Sequence, residues 1–158
     1  GPARDLPRRE ALADGGLGGS GGRSLRQGLA VILPWGSARE REAAEAIARA
    51  VRELSPDGDA GDWAQRVQVA PRMGLRDCAR LLAGAHAVCG VDTGLTHLAA
   101  ALGAPTVALF AAPEAWRYGP LGSARARALG EDGRWPSADE VWPHLMSLAG
   151  APGEPAGP

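Results

Sequence analysis

Apolar positions along the 158-residue chain fall into two alternating patterns. Short, mostly apolar runs at Leu29–Leu33, Val67–Val69, His86–Val91 and Pro105–Phe110 read as strands. Between them lie longer stretches whose apolar residues recur at helical spacing. In the stretch from Ala38 to Leu54 these are Ala43, Ala44, Ile47, Ala48, Val51 and Leu54. The same spacing predicts helices over Leu75–Ala85, Thr93–Leu102 and Ser137–Leu148. Gly103 followed by Pro105 is a helix stop, and Ser137 with Glu140 three residues on is a capping box. Strands alternating with helices imply βαβ crossovers, and strands apolar on both faces imply a parallel sheet covered on both sides. The fold class expected is α/β, a doubly wound, Rossmann-like parallel sheet.

Both ends of the chain break this pattern. Residues 1–28 are rich in Gly and Arg and show no apolar periodicity, so they read as a linker or disordered arm. Residues 150–158 offer nothing to bury and read as a disordered tail. The folded part is then residues 28–149, one domain's worth of chain.

Composition narrows the functional classes. Apolar residues make up 45%, charged residues 22%, and the net charge is −1. Every basic residue is arginine, and a near-neutral chain with scattered arginines argues against a nucleic-acid surface. Cys78 and Cys89 stand apart without metal-binding spacing, so neither a zinc site nor a disulfide framework is expected, and a reducing, cytoplasmic compartment is. No apolar run reaches the length of a membrane span.

In an open parallel sheet, ligands bind where strand C-termini lead into helix starts. The segments to inspect are therefore Pro34–Ser37, Pro71–Gly74, Asp92–Gly94 and Ala111–Tyr118. The third is the most informative. Asp92 or Thr93 caps a helix whose free amides and dipole favour an anion, Gly94 lets a ligand approach the backbone, and His97 lies one turn along the same face. A plain alternative is that Asp92 is an N-cap only and His97 a partly buried helix residue. Glu40 likewise either binds a ligand or complements a helix dipole, Met73 either contacts a ligand or fills a gap, and Trp35 either covers a ring or packs. GxxxxGK[ST] is absent, and the Gly-rich stretch Gly15–Gly22 fits GxGxxG and GxSxG by letter only, since no predicted strand precedes it, so a classical dehydrogenase, a P-loop enzyme and an α/β-hydrolase are disfavoured.

As a set, Leu33-Pro34-Trp35-Gly36-Ser37, Pro71-Arg72-Met73-Gly74-Leu75 and Val91-Asp92-Thr93-Gly94-Leu95-Thr96-His97 resemble glycosyltransferase family 9, the heptosyltransferases, over about residues 28–147. The resemblance implies the C-terminal, donor-binding half of a GT-B fold. It implies that Asp92, Thr93 and Gly94 hold the diphosphate of ADP-heptose or ADP beside His97, that Glu40 binds the ribose, and that Met73 contacts the adenine. The acceptor implied is Kdo-lipid A, reached through an N-terminal domain that also carries the catalytic base and is missing here. No catalytic residue is therefore expected in this chain, and no metal or other cofactor. The family's phosphate-binding lysine has no counterpart in residues 1–28, because the chain contains no lysine. Peripheral contact with the cytoplasmic face of the inner membrane is a further implication. Two alternatives stay open, a non-catalytic nucleotide-binding fragment or pseudoenzyme and a GT-B transferase using another sugar nucleotide.

Overall fold

The computed structural model describes residues 16–55, 60–91, 93–111, 123–131 and 133–150. In chain order its elements are α1 (Gly16–Arg26), β1 (Val31–Leu33), α2 (Ala38–Glu53), α3 (Ala60–Arg66), β2 (Val67–Val69), α4 (Leu75–Ala83), β3 (Val88–Val91), α5 (Gly94–Ala101), β4 (Thr106–Leu109), β5 (Ala126–Leu129) and α6 (Ala138–Ala149). All strand pairs are parallel. They form two groups, β1-β2 and β3-β4-β5.

Side chains alternate across a strand. Val88 packs with Leu82 and Ala99 of α4 and α5, while its neighbour Cys89 packs with Val141 and Leu145 of α6, so these helices cover opposite faces. This is the doubly wound arrangement the alternation of elements predicts. Coverage is less even than the apolar runs imply. Every residue of β4 is buried, whereas Ile32 in β1 is 44% exposed and β3 is half-buried throughout.

The N-terminal region departs from the expected linker, since Gly16–Arg26 is a helix with Leu25 fully buried. Its glycines explain why apolar periodicity missed it. A Cβ at Gly19 would collide with the Cβ of Ala138, one at Gly21 would lie 2.8 Å from Val51 Cγ2, and one at Gly22 would lie 3.2 Å from Leu54 Cδ1. Small residues are the packing surface here, letting α1 lie close to α2 and α6. Arg23 pairs with Asp139, and Arg66 Nη1 donates to the Leu25 and Leu29 carbonyls at 2.9 and 3.1 Å. Gly28, with φ of +81°, turns the chain from α1 into β1. Residues 1–15 of the expected arm lie outside the described residues, as does the expected tail beyond Gly150.

The helices α2 and α6 begin with complete capping boxes, Ser37 with Glu40 and Ser137 with Glu140. Helix α5 ends in a Schellman motif, with Gly103 at φ +78° and the Ala104 amide bonded to the Ala99 carbonyl at 3.1 Å. Besides α1, two elements go beyond the predicted set. Helix α3 buries Trp63 against Leu25, Val51 and Val67, and β5 adds an edge strand whose Arg127 is exposed. Arg134 forks onto Glu140 at 2.7 and 2.8 Å and meets Glu131 at 3.2 Å, closing the turn before α6 and holding the Glu140 carboxyl well below the usual carboxylate range.

Candidate nucleotide site

The last residues of β1, β2 and β3 are Leu33, Val69 and Val91, and all three pack against one cluster built on Ile47, Val51, Trp63 and Val67. One core therefore holds three strand C-termini, and the loops and helix starts that follow them carry the candidate residues.

After β1 the chain passes through Pro34 and Trp35 to Ser37, the N-cap of α2, with φ −127° and ψ 162°. The Glu40 amide donates to Ser37 Oγ at 3.2 Å, and Glu40 Oε2 accepts from the Gly36 and Ser37 amides, each at 2.8 Å. One carboxylate oxygen of Glu40 is thus committed to the helix start. A carboxylate offers about four lone-pair sites, so Oε1 retains the capacity to accept from a diol. After β2, the Ala70 amide donates to the Leu33 carbonyl at 3.0 Å, and the loop Pro71–Gly74 brings the half-buried Met73 to the start of α4. The structure therefore places Glu40 in the first turn of the helix after β1 and Met73 on the loop after β2, the strand paired with it. Trp35, on the first of these connections, ties to the second, its Nε1–H donating to the Ala70 carbonyl at 2.7 Å.

After β3, Asp92 lies outside the described residues. Thr93 is the N-cap of α5, with φ −134° and ψ 164°, and its side chain makes no capping hydrogen bond. Thr96 Oγ1 donates to the Val91 carbonyl at 2.7 Å, so the Thr93 hydroxyl is the donor in its 3.3 Å contact with Thr96 Oγ1. This leaves the first-turn amides of α5 without a Thr93 cap, and such amides have no partners within their own helix. Gly94 is exposed, and a Cβ there would meet nothing within 4 Å. His97 is exposed one turn on, its amide bonded to the Thr93 carbonyl at 3.2 Å.

Thr96 is a residue that sequence reasoning missed. It is 3% exposed, its hydroxyl ties the end of β3 to the first turn of α5, and Gly90 is small where Thr96 Oγ1 sits 2.5 Å from a would-be Cβ. The signal was a threonine three residues after a threonine N-cap. Among the described residues, no three His, Cys, Asp or Glu side chains group to hold a metal ion, and no helix is long and apolar enough to cross a membrane.

Parallel strands followed by a helix start that the Thr93 side chain does not cap, a first-turn carboxylate and a loop thioether define a Rossmann-like domain. The sequence pattern of glycosyltransferase family 9 (heptosyltransferase) matches residues 22–145, and the chain belongs to that family. Lipopolysaccharide heptosyltransferase 1 of Pseudomonas aeruginosa is 44% identical over 88 residues, 56% of this chain and 21% of the relative. The enzyme of the same name from Salmonella typhimurium is 42% identical over 83 residues, 52% of this chain and 22% of the relative. The matched stretch thus spans about a fifth of these relatives' length. Among solved structures, Escherichia coli heptosyltransferase WaaC with ADP superposes with a TM-score of 0.66 at 26% identity, covering 92% of this chain and 42% of WaaC. The shared architecture is that part of the heptosyltransferase GT-B fold.

Proposed function

We propose that this chain binds the donor nucleotide of a lipopolysaccharide heptosyltransferase, holding ADP-heptose for transfer to the Kdo-lipid A inner core. The observation that carries this reading is the start of α5 at the end of β3, which the Thr93 side chain leaves uncapped, in a chain whose structural neighbour WaaC is described with ADP. Asp92, Thr93 and Gly94 at the start of α5 hold the diphosphate beside His97, Glu40 Oε1 accepts from the ribose, and Met73 packs on the adenine. In the transfer, a carboxylate of an acceptor domain outside these 158 residues takes the proton of the acceptor hydroxyl. That oxygen attacks the anomeric carbon, and the bond to ADP breaks. The α5 amides stabilise the charge that collects on the departing diphosphate, so the proposal assigns no step to a metal ion or other cofactor. The reaction is placed at the cytoplasmic face of the inner membrane, where the lipid-linked acceptor is reached peripherally.

Isothermal titration with ADP tests the site. Gly94→Val fills space that is open in the protein, so its melting midpoint is expected to stay within a few degrees of the parent while ADP affinity falls at least about tenfold, a 1.4 kcal/mol change. Equal affinities for the two proteins would remove the α5 start from the binding site.

A further inference from the structure

Trp35 occupies a position the ladder geometry singles out. The register pairs Val31 with Val67 and Leu33 with Val69, and the last backbone bond runs from the Ala70 amide to the Leu33 carbonyl. One further step of a parallel register would have the Trp35 amide donate to the Ala70 carbonyl. That carbonyl instead accepts from the Trp35 indole, at 2.7 Å. The backbone is thereby released to form the loop into α2, while the distance between the two loops stays fixed by a side chain.

The other side of the indole is held as well. The Arg41 guanidinium, in the first turn of α2, lies 5.4 Å from the ring centroid and is itself oriented by Glu45 at 3.0 Å. One ring therefore joins the loop that carries Met73, three residues beyond Ala70, to the helix turn that carries Glu40.

We infer that Trp35 is a positioning residue that sets the spacing between the ribose acceptor Glu40 and the base contact Met73, and so the preference of the site for an adenine over a pyrimidine nucleoside diphosphate. The inference rests on the nucleotide-binding reading above. It assigns Trp35 no contact with the ligand; the effect runs through the separation of the two loops.

The test compares ADP with UDP, which share the ribose and diphosphate and differ in the base, by titration into the full 158-residue chain. Trp35→Phe keeps an aromatic ring and removes the N–H. It is expected to lower the ADP-to-UDP affinity ratio up to about tenfold, the size of one lost hydrogen bond, whereas Gly94→Val weakens both ligands alike and preserves the ratio. Arg41→Ala, an exposed change, is expected to move the ratio in the same direction by a smaller factor and serves if Trp35→Phe does not fold. A parent protein that prefers ADP while both variants keep its ratio overturns the inference and leaves the nucleotide site standing. A parent that binds both ligands equally overturns it too. A parent that binds neither overturns the underlying functional reading instead.

Discussion

The two strand groups are built to different standards. In β3-β4-β5, the central strand has a neighbour on each side and a helix on each face, and Val107 and Leu109 are buried beneath α6. In β1-β2, each strand is three residues long and Ile32 is 44% exposed. Side-chain bonds to backbone supplement this short ladder: Trp35 to Ala70, and Arg52 Nη2 to the Val67 carbonyl at 2.8 Å. The loop after β3 thus leaves a sheet whose central strand is fully buried. The loops after β1 and β2 add a few named polar contacts to a short ladder, which makes them the part whose geometry single substitutions can change without unfolding the rest.

The largest test of this contrast is a matched pair. Val107→Asp is expected to cost more than about 4 kcal/mol, since it buries an unpaired carboxylate, while Ile32→Asp costs less than about 1.5 kcal/mol. Urea unfolding measures both, and equal losses would erase the distinction. Next is Gly21→Ile, whose side chain enters space filled by Val51. The expected loss is about 1–3 kcal/mol, as for overpacked cores, and it sharpens the comparison because α1 packs on both α2 and α6. The smallest effect at neutral pH concerns Cys89, whose thiol burial pushes up to about 12 from an ordinary 9.0. The folded value is the higher one, so its contribution is intact below pH 9 and fades as pH rises towards 12. Cys89→Ala should flatten the alkaline limb of stability, and iodoacetamide should leave folded Cys89 unlabelled at pH 8.

What the sequence discloses follows from which forces leave a trace in residue type. Ser37 with Glu40 and Ser137 with Glu140 mark two helix starts to the residue, because a capping box needs those groups at that spacing. The run Thr106–Leu109 is legible because a strand buried on both faces tolerates few polar residues. Helix α1 is hidden because its packing surface is glycine, whose usual meaning is a loop. Strand β5 is hidden because Arg127 and a one-sided neighbour blunt its pattern. In the site, loop positions are legible from the sheet topology. The tie between Trp35 and Ala70 is not, since 35 residues separate its partners and nothing local requires it.

The packing of α1 has a consequence for how the domain comes apart. It touches α2 over one strand group and α6 over the other, while among the described residues no hydrogen-bonded ladder joins the two groups. The helix is in that sense a coupler between two potential foldons. Substitution of its glycines is expected to bear on whether the domain melts in one cooperative transition or in two, read from the shape of the unfolding curve as well as from its midpoint.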